Sequence, residues 1–246
     1  MPSEPDQEVI IVAEIRFETP LYSLAEAARI LDVPTSTFTA WARGYTRHRP
    51  GHADVAGAAV VTAFPTAPGE SSVPFVGLAE GLVLAAIRRQ GVPMQRIQPA
   101  LDVLVQEIGV EHALASRRLY TDGAEILFDY ANIDSASAAD PVRDLVVVRN
   151  GQRVFADVVD SYLRRITFAP DGWAERIVLP QYEHATVIAD PRLSFGQPVF
   201  AQGGARLADA LGMFWAGEDL ETVAAEYGVR RADLEDALRV ASRRAA

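Results

Sequence analysis

The stretch 21–43, LYSLAEAARILDVPTSTFTAWAR, constrains the fold of this chain more than any other segment. Apolar residues at helical spacing from Leu24 to Leu31 predict a first helix. Ser23, with Glu26 three residues later, forms a capping-box pattern at the start of that helix. Asp32–Pro34 then interrupts the pattern, and proline is tolerated where a second helix opens. The stretch therefore predicts a helix-turn-helix.

The second predicted helix carries small hydroxyl side chains on one face and bulky apolar ones, Phe38 and Trp41, on the other. Its hydroxyl face leads directly into basic residues, which is the layout of a helix that reads DNA. The expected DNA contacts are Thr35, Ser36, Thr37, Thr39, Arg43, Tyr45, Arg47 and Arg49. The alternative is an αα-hairpin whose only role is packing.

The segment 44–72 follows the helix pair and combines Gly, Pro, Arg and His with a strand-like run, AAVVTAF, at 58–64. A loop, a strand and a loop after a helix-turn-helix are typical of a wing, whose basic tip rests on the phosphate backbone. His48, His52 and the neighbouring arginines would form that tip. A plain surface loop explains the segment equally well.

The remaining patterns predict an α+β fold that is mainly α. A strand is expected at 8–17, and two helices are expected within 76–108, the first ending at Gly91 and the second at Gly109. Pro99 lies inside the second of these helices, so the pattern implies a kink or a later start.

Turn signals mark the middle of the chain as a small β-rich segment. Asp122-Gly123, Asn150-Gly151 and Asp171-Gly172 each lie between runs that fit the strands of a hairpin. The expected domains are a winged helix-turn-helix at 1–110, a β-rich connector at 111–180 and a helical domain with a helix-turn-helix-like pattern at 181–246.

That second helix-turn-helix pattern occupies 220–241. Leu24 and Val33 of the first copy correspond to Leu220 and Val229 of the second, at the same separation. The last helix of the second copy carries several acidic residues, which oppose contact with phosphate. We therefore expect a protein–protein role for the second copy.

Composition argues against several classes of protein. The chain has no cysteine, so it can hold neither disulfides nor thiolate metal sites. The four histidines are scattered, and the sequence contains no nucleophile elbow, phosphate loop or dinucleotide fingerprint. The net charge of −10 opposes general coating of nucleic acid but permits a local basic patch. We expect a non-enzyme without catalytic residues, metal or cofactor.

Two further features fit a cytoplasmic protein with no membrane partner. The first residues are acidic and do not match a signal peptide. Apolar runs stay well short of the ~20 residues that a membrane-spanning helix needs.

The predicted winged pattern and the two helices after it resemble MerR-type regulators over roughly 21–108. The turn between those helices, in RRQGVPMQRI, has the glycine that is typical of the family at this point. The resemblance implies that DNA is met by Thr35, Thr37, Arg43, Arg47 and Arg49.

The last quarter of the chain resembles a small family of unknown function that is met in VapB-type antitoxins. The residues that carry the pattern are Asp190, Pro191, Phe195, Gly196, Pro198, Ala216, Gly217, Glu218, Leu220, Ala224, Tyr227, Gly228 and Val229. The chain departs from the family at Gln202-Gly203-Gly204, where the usual turn reads G-T-R. The order of MerR-like head, β segment and tail is similar to that of the long VapB-type antitoxins.

This resemblance implies an antitoxin that neutralises a PIN-domain ribonuclease toxin of VapC type and binds operator DNA to repress its own operon. We expect a homodimer. The candidate partner-binding residues are Phe214, Trp215, Arg230, Arg231 and Arg239. The alternatives are a stand-alone MerR-like regulator, whose C-terminal part senses a ligand or dimerises, and an adaptor without affinity for DNA.

Overall fold

The structure, a computed structural model, describes residues 15–48, 54–89, 91, 93–109, 111–119, 161–162 and 164–245. The chain divides into two compact units, one of them Phe17–Ala174 and the other containing Glu175–Ala246. Helices dominate the described residues, and short strands form a two-stranded and a four-stranded sheet. The expected α+β class is thus confirmed, while the three expected domain limits stay a prediction.

The first unit begins with the helix-turn-helix and continues through a small hairpin into two longer helices. Its elements are α1 (Leu24–Leu31), α2 (Thr35–Arg43), β1 (Tyr45–Arg47), β2 (Val55–Gly57), α3 (Phe75–Arg89), α4 (Met94–Ile108), a 3-10 turn (Ala113–Ala115) and β3 (Ile166–Phe168).

The helix-turn-helix is capped as its sequence predicts. The backbone N–H of Ser23 donates to Oε2 of Glu26 at 2.8 Å, and the N–H of Glu26 donates to Oγ of Ser23 at 3.2 Å. Asp32 ends α1 in the left-handed region, with φ 57°. The N–H of Val33 then donates to the carbonyl of Ala28 at 3.0 Å. These bonds fix the angle at which the chain enters α2.

Helix α3 is buried along most of its length and forms the centre of this unit. It crosses the helix-turn-helix at Gly81, where an added Cβ would lie 2.7 Å from Cδ1 of Leu31 and 2.8 Å from Cε2 of Phe38. Both of those side chains are fully buried. A glycine is therefore what lets the two helical layers approach this closely.

The wing is present, but the structure places its strands earlier than the sequence predicts. β1 pairs with β2 in antiparallel register, with Tyr45 opposite Gly57 and Arg47 opposite Val55. The expected strand at 58–64 is wrong. The N–H groups of Val60 and Val61 donate instead to the carbonyl of Trp41, at 2.7 and 3.1 Å. The apolar run therefore bonds to the end of α2 and does not form a strand.

The long helices agree with the sequence more closely. Gly91 follows α3 with φ 82°, and Gly109 caps α4 with φ 67°. Helix α4 starts at Met94, so Pro99 lies inside it and the alternative of a later start is wrong. The strand expected at 8–17 is wrong at its end, because residues 15–17 form a helical turn, and 8–14 lie outside the described residues. β-Branched composition is a weak guide where the tertiary context decides.

The hairpin expected around Asp171-Gly172 is confirmed. Gly172 has φ 86°, and the N–H of Ala169 donates to the carbonyl of Trp173 at 2.9 Å. The other two expected hairpins, around 122–123 and 150–151, lie outside the described residues.

The second unit combines strands with three helices. Its elements are β4 (Ala174–Val178), which begins at the last residue of the first unit, β5 (Val187–Ala189), a 3-10 turn (Ser194–Gly196), β6 (Val199–Phe200), α5 (Leu207–Trp215), α6 (Leu220–Tyr227) and α7 (Arg231–Ala245). Within this unit, β4–β5 and β5–β6 are antiparallel pairs.

Helices α6 and α7 repeat the backbone geometry of the first helix-turn-helix. Gly228 takes the place of Asp32, with φ 62°. The N–H of Val229 donates to the carbonyl of Ala224 at 3.0 Å, which matches the bond at the first turn. Leu234, at the position of Phe38, is fully buried. The repeat predicted from the spacing is therefore confirmed as a structural repeat.

Of the helices in the described ranges, none combines the length and the apolar character that crossing a membrane requires.

Candidate DNA-binding and partner-binding surfaces

Helix α2 divides its side chains as a DNA-reading helix should. Phe38 and Trp41 are buried beneath it, whereas Thr35 and Ser36 are exposed at its start. Thr37 and Thr39, which were also expected to contact DNA, are half-buried. The N-cap residue is Pro34, whose side chain cannot cap the first amides of the helix. An uncapped N-terminus attracts phosphate.

Arg43 ends α2 as an exposed side chain, and Gly44 then turns the chain into the wing. Gly44 has φ 75°, and a Cβ at this position would lie 2.6 Å from the carbonyl oxygen of Gly57. Only glycine meets both conditions. The position of the wing relative to the helix is therefore fixed at this residue.

Contacts with neighbouring residues hold the wing in place. The ring of Tyr45 packs over Gly57, where an added Cβ would lie 2.5 Å from Cε1 of the ring. Nε2 of Gln98, on α4, donates to the carbonyl of Ala58 at 2.7 Å. His48 lies 2.9 Å from Asp54. Tyr45 thus has a packing role in addition to any contact with DNA.

Arg47 and Arg49 are the remaining predicted DNA contacts of the wing. Arg47 belongs to β1, opposite Val55, and its backbone alone is described. Arg49 lies outside the described residues.

Residues of the predicted DNA face line two open cavities. One, of ≈ 300 Å³, lies between the hydroxyl residues Ser36 and Thr37 and the α3–α4 junction, where Arg88 and Met94 line it. The other, of ≈ 480 Å³, is lined by Arg43, Gly44 and residues of the wing. The outer face of α2 is therefore accessible within this unit.

A polar cluster lies behind the wing and was not expected from the sequence. Glu80, buried in α3, accepts the N–H of Thr62 at 2.7 Å through Oε2. Its Oε1 lies 3.0 Å from Nδ1 of His112, and Oγ1 of Thr62 lies 2.8 Å from the same nitrogen. The rings of Phe17 and Trp173 lie beside His112, with centroids 5.7 and 6.2 Å away.

The hydrogen bond to Glu80 raises the pKa of His112 above 6.5, although burial of the ring opposes the shift, and the charges of Glu80 and Glu111 add to it. The cluster ties the segment after the wing to α3. A lone acid within the apolar run LAEGLVLAAI was the one sequence signal for it. Among the described residues, no three His, Asp or Glu side chains gather as metal ligands.

The candidate arginines of the second unit are exposed but already paired. Arg230 donates to Asp233 through Nε and Nη2, at 2.8 and 2.7 Å. Arg231 is bound by Glu221 and Glu235, and Arg239 donates to Asp236 at 3.0 Å. Their charges are largely balanced inside the unit, which lowers the potential that phosphate would meet.

Asp236 is buried and fixes α7 to the chain before β5. Its Oδ2 accepts the N–H groups of His184 and Ala185, at 2.8 and 3.1 Å. Burial alone would raise the pKa of Asp236, but these bonds outweigh it and lower the pKa. Of the two aromatic candidates on α5, Phe214 is half-buried and Trp215 is 62% exposed.

A second buried carboxylate organises the loop after β5. Asp190 accepts Nε and Nη2 of Arg192 at 2.9 and 2.7 Å, and Nε of Arg176 at 3.2 Å. Burial would raise the pKa of Asp190, but the bonds from Arg192 and Arg176 outweigh it and lower the pKa. The loop that follows carries Phe195 on the surface. The sequence pattern named this phenylalanine as a family residue but gave no sign that it is exposed.

Comparisons with known proteins bear on both units. Residues 20–101 match a family described as "Putative DNA-binding HTH domain". Over 237 residues the chain is 50% identical to "Putative antitoxin VapB45" of Mycobacterium tuberculosis, which covers 95% of this chain and 97% of that protein.

The chain belongs to the VapB-type antitoxin family. This VapB-type chain is also 25% identical over 226 residues to "Uncharacterized protein Rv2308" of Mycobacterium tuberculosis, covering 89% of this chain and 88% of that protein. The crystal structure of Rv2018 from Mycobacterium tuberculosis is similar, with a TM-score of 0.71 and 46% identity over 91% of this chain and 99% of that one.

The N-terminal unit of this VapB-type chain therefore carries a helix-turn-helix of a DNA-binding family, as its sequence predicts. The individual residues expected to contact DNA or a partner stay predictions.

Proposed function

We propose that this VapB-type antitoxin binds operator DNA through α2 and the wing, and neutralises a PIN-domain ribonuclease of VapC type through its second unit. Binding to the operator represses its own operon. The protein acts without catalytic residues, metal or cofactor, and it works in the cytoplasm, where both operator and RNA are found.

One observation carries the DNA-binding part. Helix α2 has an exposed, uncapped start at Thr35 and Ser36, and an exposed arginine, Arg43, at its end. The N-terminus supplies amide donors, while the arginine and β1 supply positive charge for the flanking phosphates. The proposed base and backbone contacts are Thr35, Ser36, Thr37, Thr39, Arg43, Tyr45, Arg47 and Arg49.

Salt dependence tests this part. Affinity for the DNA upstream of the gene should fall linearly on a log–log plot against salt, with a slope set by the number of phosphates contacted. If the antitoxin is a homodimer, the site should be a palindrome whose half-sites are spaced near whole helical turns. A flat response to salt would count against α2 and the wing as the contact surface.

The toxin-binding part rests on family membership and on the charge of the second unit. Residues 175–246 contain eleven acidic and eight basic side chains, and Arg230, Arg231 and Arg239 are paired within the unit. A ribonuclease needs positive surface around its RNA site, and an acidic partner is steered to such a surface. The proposed partner-facing residues are Phe214, Trp215, Arg230, Arg231 and Arg239.

Titration tests this part. The PIN-domain ribonuclease that the same operon is expected to encode is purified and mixed with increasing amounts of the full chain, and cleavage of a labelled RNA is followed. We expect cleavage to stop at a fixed molar ratio, with a complex that co-elutes on size exclusion. Continued cleavage at saturating amounts of the chain would contradict the proposal.

The alternative of a ligand-sensing regulator has one feature in its favour. A pocket of ≈ 270 Å³ lies beside Glu80 and His112, bounded by Leu101 and Val105 of α4. The polar groups in it already bond to one another, as Glu80 does to Thr62. The antitoxin function is favoured because the cluster is satisfied without a ligand.

A further inference from the structure

The loop Leu193–Gly196 of the second unit forms a small apolar projection, which we call the finger. In the part of the chain that the structure describes, four large hydrophobic residues are exposed: Val105, Leu193, Phe195 and Trp215. Two of the four belong to the finger, and Phe195 is the most exposed of all, at 84%. An aromatic ring held in water gives up the burial that normally stabilises it.

The backbone of the finger adds a second cost at the same place. Ser194 and Phe195 have φ 47° and 54°, in the left-handed region that side chains with a Cβ disfavour. Sequences free to choose would place glycine or asparagine there. Phe195 combines an exposed ring with a strained backbone. Strain of this kind is concentrated at functional sites, which indicates that the side chain binds a partner.

The base of the finger is rigid. The buried carboxylate of Asp190 accepts a hydrogen bond from the side chain of Arg192. The backbone carbonyl of Asp190 accepts the N–H of Leu193 at 2.9 Å. The carbonyl of Leu193 accepts the N–H of Gly196 at 2.9 Å, which closes the loop. The backbone that carries Phe195 is therefore held in one geometry before any partner arrives, which reduces the entropy lost on binding.

The net charge of the second unit indicates which kind of partner the finger binds. The unit that carries the finger has three more acidic than basic residues, eleven against eight. A second copy of the unit has the same sign of charge, and a nucleic acid is also negative, so charge attracts neither of them to the finger. A protein that itself binds RNA has the complementary sign.

We infer that the finger docks Phe195 and Leu193 into an apolar pocket on the PIN-domain ribonuclease, next to its basic RNA-binding surface. The inference rests on the toxin-neutralising function proposed above. It adds Phe195 as the anchor residue of that interface, on a segment separate from Trp215 and from the arginines already proposed to face the partner. Aromatic anchors in well-packed pockets carry most of the energy of such interfaces.

The test compares Phe195→Asn with Val105→Asn, in the full chain. Asparagine tolerates the left-handed region, so the first change removes the ring without adding strain. The second replaces an exposed apolar residue of α4 by the same side chain and is the matched control. Phe195→Gly, which also tolerates this backbone, serves as a second variant.

The dissociation constant for the purified ribonuclease, the melting temperature and the operator affinity are measured for each protein. We expect Phe195→Asn and Phe195→Gly to weaken binding of the ribonuclease by about 30-fold or more. Phe195→Asn should keep the wild-type melting temperature and operator affinity, and Val105→Asn should behave as wild type.

If wild type binds the ribonuclease and both finger variants bind it equally well, the inference is wrong while the proposed function stands. If wild type does not bind the ribonuclease at all, the proposed function fails and the inference fails with it.

Discussion

Nδ1 of His112 lies 3.0 Å from Oε1 of Glu80, a carboxylate that the first unit buries. This pair is 32 residues apart in sequence and links α3 to the 3-10 turn that follows α4. Thr62 completes the cluster from the segment after the wing. The stability of the region that supports the wing is therefore coupled to protonation of one histidine.

Stability should accordingly fall as pH rises. The hydrogen bond to Glu80 raises the pKa of His112 in the folded protein, against 6.5 in the unfolded chain. Stabilisation is then fully present below about pH 6.5 and is lost as pH rises through the folded pKa. Urea unfolding from pH 6 to 9 should show a loss of about 1 kcal/mol that is absent in His112→Asn. Parallel pH profiles for the two proteins would contradict this role.

Removing two arginines from the DNA face should weaken operator binding and its dependence on salt. Arg43 is exposed and Arg47 lies on β1, so neither change should unfold the unit. Arg43→Ala with Arg47→Ala should lower affinity for all sequences and reduce the salt slope by about 2, because each arginine is proposed to contact one phosphate. Fluorescence anisotropy over a salt series measures both.

The matched control for that pair removes two arginines from the second unit. Arg206 and Arg243 are both exposed there. Arg206→Ala with Arg243→Ala changes the net charge by the same amount and should leave the salt slope unchanged. An equal effect of both double variants would mean that net charge, rather than α2 and the wing, controls binding.

Gly44 should be the least replaceable residue of the wing. Gly44→Ala meets both a positive φ and the carbonyl of Gly57 at 2.6 Å, whereas Gly69 has φ 90° with open space around it. We expect Gly69→Ala to cost about 1 kcal/mol from strain alone, and Gly44→Ala to cost about 3 kcal/mol once the clash is added. Thermal melts measure the difference, and operator affinity should fall for Gly44→Ala alone. Equal melts would show that the junction is not fixed as described.

Asp236 should be essential to the second unit. Asp236→Ala leaves the N–H groups of His184 and Ala185 without their acceptor, at a cost of about 3 kcal/mol. Because the pKa of Asp236 is lowered, its stabilisation is present above the unfolded value and is lost as pH falls through the folded pKa. Asp209→Ala, on the exposed side of α5, should have little effect. A melting temperature unchanged in Asp236→Ala would contradict the assignment.

Local patterns predicted the two helix-turn-helix copies well, and distant contacts explain the errors. The spacing from Leu24 to Val33 recurs from Leu220 to Val229, and both turns close with the same backbone bond. By contrast, the run 58–64 looked like a strand because its β-branched residues suit one. Its partner is the carbonyl of Trp41, and pairing of this kind leaves no mark on a local pattern.

The candidate surfaces, too, were predictable only where a local sequence pattern determines them. The hydroxyl face of α2 follows from periodicity, so Thr35 and Ser36 were predictable. Exposure of Phe195 was not, because a phenylalanine in the left-handed region has no sequence signal. The acidic residues of α7 were visible in the sequence, but their bonds to Arg230 and Arg231 required the structure.

DNA binding is proposed for one unit and toxin binding for the other, and one measurement tests this separation directly. Cleavage of RNA by the PIN-domain ribonuclease is titrated with wild type and with the Arg43→Ala, Arg47→Ala double variant, while operator binding of each is followed by anisotropy. We predict that the variant loses most of its operator affinity yet stops cleavage at the same molar ratio as wild type. A ribonuclease that stays active in the presence of the variant, while wild type inhibits it, would contradict the separation of the two functions.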